Sequence, residues 1–122
     1  MISFVRGTTF DVFFHCQYPG GQPWQSAPYP LTGLTVVATA TQLGPSATLV
    51  ITKSSANAGQ INITDETEGD GTIFFVPADT TPIPLPQNPP QVLAVFQLVV
   101  QGLDGSGGVI PLYSDLLQIT AF

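Results

Sequence analysis

Thr8-Thr9-Phe10-Asp11-Val12-Phe13-Phe14-His15-Cys16-Gln17-Tyr18 is the stretch from which the fold of this chain can be read. Phe10, Val12, Phe14 and Cys16 fall on one side of an extended backbone, and Asp11, Phe13, His15 and Gln17 on the other. That is the period of two that marks a half-buried strand, and the first set forms its core face. The period returns in Leu34–Leu43, where Leu34, Val36, Ala38 and Ala40 turn inward and three threonines call for a solvated outer face. Val, Ile, Thr and Phe, which suit a pleated surface, dominate further strands expected near Thr48–Lys53, Gln60–Thr64, Thr72–Val76, Gln91–Gln101 and Val109–Thr120. No stretch carries the period of an amphipathic helix.

The turns fit this division. Gly44-Pro45, Asn57-Ala58-Gly59, Gly69-Asp70-Gly71 and Asp104-Gly105-Ser106-Gly107-Gly108 supply residues that accept positive φ or pre-set a bend. The expected fold is therefore all-β, an immunoglobulin-like antiparallel β-sandwich of about seven strands, as one domain over residues 1–122. The Cys, Trp and Cys hallmark of antibody-type domains is missing. Two proline-rich segments interrupt the strands, Tyr18–Pro30 and Pro77–Pro90. In the second, Pro77, Pro82, Pro84, Pro86, Pro89 and Pro90 favour extended backbone and exclude helix, so it is expected to cross between sheets as a stiff loop.

Composition removes several function classes. The 122 residues hold 2 Lys+Arg, 8 Asp+Glu, 1 His and 1 Cys, a formal net charge of -6. Only 8% of residues are charged, against about 25% in an average soluble domain, so little of the surface repels a neighbour. Nucleic-acid binding needs clustered Lys and Arg to displace counterions, and this chain has only Arg6 and Lys53. The most apolar run, Val92–Val100, is about half a membrane span; it contains Gln97 and reads as a buried strand. Met1–Gly7 lacks the charged region, apolar core and cleavage site of a secretory signal, so the chain is expected to stay where it is made. One Cys excludes an internal disulfide, and one Cys with one His does not supply a structural zinc site.

Catalysis finds no support in the residues. His15 and Cys16 are adjacent, so on a strand they leave opposite faces and cannot act as base and nucleophile on each other. No Gly-x-Ser-x-Gly elbow is present, and no cofactor is called for. Asp65, Glu66, Glu68 and Asp70 place four carboxylates within six residues, a weak calcium candidate whose simpler reading is a solvated hairpin turn. Tyr18, Trp24 and Tyr29, set among prolines and glycines, offer an aromatic platform for a sugar or a partner protein, or a plug for the open end of the sandwich. Phe13 and His15, on the outward face of the first strand, complete the interface candidates. Pro86-Gln87-Asn88-Pro89 has the spacing of a proline-rich ligand but no basic neighbour, and Asn62-Ile63-Thr64 is a sequon in a chain without a secretory signal.

A set of ordered motifs carries a family resemblance. Phe4-Val5-Arg6-Gly7-Thr8-Thr9-Phe10, Pro30-Leu31-Thr32-Gly33-Leu34-Thr35-Val36, Gly59-Gln60-Ile61-Asn62-Ile63-Thr64-Asp65, Gly71-Thr72-Ile73 with Val76-Pro77-Ala78-Asp79-Thr80, and Phe96-Gln97-Leu98 with Asp104-Gly105 follow one another along the chain. In order and spacing, over about residues 4–119, they resemble the immunoglobulin-like structural modules of tailed bacteriophages related to the N-terminal domain of the baseplate upper protein. The two proline-rich segments are longer than the usual version. The resemblance implies a non-enzymatic virion protein, made in the host cytoplasm, that docks on other phage structural proteins in the tail, baseplate or fibre-attachment region, with homo-oligomers within the virion. A capsid decoration protein and a carbohydrate-binding module using Trp24, Tyr18 and Tyr29 are the alternatives. Edge strands of monomers are usually guarded by Lys, Pro or inward charges; with a single lysine, this chain is expected to have its edges covered by partners.

Overall fold

The computed structural model describes residues 2–16, 30–44 and 49–121. Alternating apolar side chains produce β1 (Ile2–Val5), β2 (Phe10–His15), β3 (Thr35–Gln42), β4 (Val50–Ser54), β5 (Ile61–Asp65), β6 (Asp70–Phe75), β7 (Val92–Leu103) and β8 (Val109–Thr120), with a one-turn helix, α1 (Pro77–Thr80), between β6 and β7. Two sheets result, β1-β8-β7-β3-β4 and β2-β6-β5, joined face to face in a sandwich with immunoglobulin-like strand order. The described residues hold eight strands rather than about seven. The extra one is β1, which pairs in parallel with β8, Ile2 against Leu117 through Val5 against Thr120. Four residues are too short to display a period.

The inward face of β2 is as expected, with Phe10, Val12, Phe14 and the following Cys16 buried. On β3, Val36, Ala38 and Ala40 are buried, and they meet Phe96, Leu98 and Val100 of β7 and Leu117 and Ile119 of β8 in one core. The β7 reading needs correction: it is not buried on both faces. Ala94, Phe96, Leu98 and Val100 are buried, while Val95, Gln97, Val99 and Gln101 are only half-buried on the outside. At Gly71, directly opposite Phe14 in the β2–β6 ladder, a Cβ atom would lie 2.4 Å from the Phe14 ring. The absent side chain leaves room for the far end of that ring.

Three rings link the two sheets. Phe4 of β1 stacks on Phe10 of β2 at 4.0 Å between centroids, and Phe10 stacks on Phe75 of β6 at 4.8 Å. Beyond Phe75, at 5.7 Å from its centroid, sits the ammonium of Lys53, close enough for the ring face to attract the cation. Lys53 is 6% exposed and points inward from β4, an outer strand of its sheet. The lysine is thus itself an edge guard of the inward-charge type.

The proline-rich crossover is held by both cations of the chain. Lys53 Nζ lies 2.8 Å from Asp79 Oδ2 in α1, and the same oxygen accepts the Val76 N–H at 2.8 Å, satisfying a donor that the first turn leaves open. Arg6 donates from Nε to the Ile83 carbonyl at 2.8 Å and from Nη2 to that of Thr81 at 2.7 Å. Thr80, fully buried, accepts the Gly7 N–H at 2.7 Å. The expectation of a helix-free crossover is corrected here. Pro77 stands in the first turn of α1, where the missing N–H has no partner to lose and the fixed φ suits a helix.

Two stability outcomes follow. Gly71→Ala is expected to destabilise by about 2 kcal/mol through overpacking, with partial recovery in Gly71→Ala/Phe14→Leu, both read by urea denaturation. Asp79→Ala, which leaves Lys53 buried without its carboxylate, is expected to cost about 3 kcal/mol, whereas Lys53→Met with Asp79→Ala is expected to cost less than Asp79→Ala alone.

Candidate functional site

The two outer faces differ in chemistry. Because side chains alternate and opposed residues share a face, the registers put Thr39, Val99, Ser114 and Thr52 in one row across the outside of the five-stranded sheet. Thr41, Gln97, Leu116 and Val50 form the next. By this register no charged side chain of the described strands falls on that face. Asp115 is opposite Leu98 and so belongs to the inner side. There its Oδ2 accepts the Tyr113 hydroxyl at 3.0 Å and its Oδ1 the Leu116 N–H at 2.7 Å. The Leu116 N–H, with help from Tyr113 and against burial, holds the Asp115 carboxyl below its ordinary range. Burial, then the Asp115 contact, pushes the Tyr113 hydroxyl up.

The outer face of the three-stranded sheet carries charge. Asp11, Phe13 and His15 project from β2, with Phe74, Thr72 and Asp70 opposite them on β6. Phe13 is 74% exposed, the most open of the large apolar residues described. His15 Nδ1 lies 2.5 Å from Asp70 Oδ1. A carboxylate only accepts, so Nδ1 carries the proton of that contact.

The sequence candidates separate accordingly. Phe13 and His15 lie together on the outer face of β2, whereas Tyr18, Trp24 and Tyr29 lie outside the described residues. The four acidic residues do not converge. Asp65 accepts the N–H groups of Thr67 and Glu68 with one oxygen, both at 3.2 Å, which is a self-capped turn; Asp70 is engaged by His15, and Glu66 and Glu68 are exposed. Among the described residues no three His, Cys, Asp or Glu side chains form a metal-binding group, and no helix is long and apolar enough to cross a membrane.

Cys16 and His15 do leave opposite faces, Cys16 being fully buried. Sequence reasoning placed Asp11 on the outward side with Phe13 but missed Phe74, which lies opposite Asp11, and the uncharged outer face of β7. The signal for β7 was present in its odd-numbered positions, hidden because Val95 and Val99 are as apolar as the buried residues between them.

Burial, and then the negative charge of Asp70, push the Cys16 thiol from its ordinary 9.0 up to about 11. A thiol reagent at pH 8 is expected to leave native Cys16 unmodified and to label it fully in denaturant; rapid labelling of the folded protein would contradict this placement. No protein-family model matches the chain, and no curated protein matches its sequence.

Proposed function

We propose that the chain is a non-enzymatic structural subunit of a tailed-phage virion, docking between other subunits in the tail, baseplate or fibre-attachment region. The observation that carries the reading is the outer face of the five-stranded sheet, where Thr39, Thr41, Val50, Val99 and Leu116 share a surface whose register includes no charge. The core of a protein–protein interface is depleted of charged residues, and an uncharged face of this kind suits permanent contact better than free solution. The engagement of both cations with the crossover supports the same reading, because it leaves neither Lys53 nor Arg6 to solubilise that face. The virion context comes from the resemblance of the ordered motifs to those of phage modules.

Val99→Glu places a charge in the middle of this face while its backbone stays in the ladder. In particles of the phage that encodes the chain, the variant is expected to be lost from the virion, while the isolated protein keeps its thermal midpoint within a few degrees. Undiminished incorporation would remove the face from the docking role. Copy number in purified particles decides location: a small multiple of the tail symmetry is expected, whereas a count matching the shell would make it a capsid decoration protein.

A further inference from the structure

Four strands stand at sheet edges, β1 and β4 in one sheet and β2 and β5 in the other. An open edge invites another strand, and proteins blunt it by shortness, bulges, prolines or inward charges. Three edges here carry such a device. β1 has four residues, β4 turns Lys53 inward, and β5 is irregular between Ile63 and Asp65. β2 carries none of them. Its six residues keep unbroken register with β6, contain no Pro or Lys, and among the described residues meet no strand on the other side.

The backbone of that edge is free in a defined pattern. Cys16 donates its N–H to the Gly69 carbonyl at 2.9 Å, continuing the register that pairs Phe14 with Gly71 and Val12 with Ile73. Hydrogen-bonded pairs alternate in an antiparallel ladder, so the even-numbered residues bond to β6. The N–H and C=O groups of Asp11, Phe13 and His15 therefore point to the open edge. These are also the three whose side chains lie on the outer face.

We propose that β2 is a self-association edge, at which two copies of the chain pair their β2 strands antiparallel about a two-fold axis at Phe13 to make one six-stranded sheet. In that register Phe13 faces Phe13 of the second copy, and each Asp11 faces a His15. Aromatic pairs directly across a ladder stabilise it, and so does a carboxylate opposite an imidazole that carries a second proton. Moving the register by two residues either way sets Phe13 against Asp11 or His15 and abolishes both matches. Asp70 already takes the Nδ1 proton of His15, which leaves Nε2 to face Asp11 of the second copy; with a proton on both nitrogens the imidazole bridges the two carboxylates. The contact is isologous and uses up both β2 edges, so it closes as a dimer. It requires nothing of the virion reading and stands or falls separately from it.

The test uses the full chain. Sedimentation equilibrium up to several hundred micromolar is expected to show reversible dimerisation. Phe13→Asp, which sets two carboxylates face to face on the axis, is expected to weaken it at least tenfold at unchanged thermal midpoint. Register is read by cross-linking, with buried Cys16 left in place. Directly opposed hydrogen-bonded residues have Cα atoms about 5.5 Å apart, within disulfide reach. Phe13→Cys is therefore expected to oxidise to a dimer bridged at position 13, Asp11→Cys alone is not, and Asp11→Cys/His15→Cys is. A wild-type chain that stays monomeric throughout, or equal cross-linking of Phe13→Cys and Asp11→Cys, would overturn the proposal.

Discussion

The rest of the structure depends on the buried ammonium of Lys53. It closes the ring stack of Phe4, Phe10 and Phe75 at one end and binds Asp79 at the other. A charge removed from water is tolerable only where it is paired and its donors are satisfied, so the position of α1 is dictated by β4. Arg6 adds the second restraint, from the residue just after β1 to the carbonyls of Thr81 and Ile83. The crossover is gripped from the two outer strands of the larger sheet, and the strand it delivers, β7, lies between them. Local proline stiffness alone would fix the crossover's conformation but not where it lands.

Much of this architecture was legible in the chain. Period two, read in Phe10–His15 and Thr35–Gln42, gives the correct inner faces because one side of each strand is clearly less apolar. The reading fails where that contrast disappears. Val95 and Val99 look like core yet face outward, β1 is too short for a period, and α1 follows from Pro77 standing at a helix start. Lys53 is the instructive miss: sequence alone assigns lysine to solvent, and only the approach of Asp79 from a distant segment makes the inward rotamer favourable. Of the candidate site, adjacency on a strand was enough to separate His15 from Cys16, but the His15–Asp70 contact needs the β2–β6 register, which no local pattern specifies.

The shortage of charge has a consequence for how the two faces divide their roles. With Arg6 and Lys53 both committed to the crossover, His15 is the one remaining basic side chain, and it stands on the face that also bears Asp11 and Asp70. The larger sheet presents only hydroxyl, amide and aliphatic groups by its register. One face can therefore recognise by charge order and the other by shape alone, and two different neighbours could be held by one sandwich without competing for the same chemistry.

The parallel pairing of β1 with β8 bears on the order in which the sandwich assembles. Ile2 aligns with Leu117, residues more than a hundred positions apart, while β7 and β8 are joined by a short turn in which Asp104 Oδ1 accepts the N–H groups of Ser106 and Gly108. Closing the long loop carries a conformational cost that the hairpin does not face, and four residues of ladder, the Phe4 stack and the Arg6 bonds must offset it. By its sequence separation β1 is expected to join late, and its departure would withdraw Phe4 from the ring stack and bare the backbone of β8, a conditional edge that exists only while that strand is away.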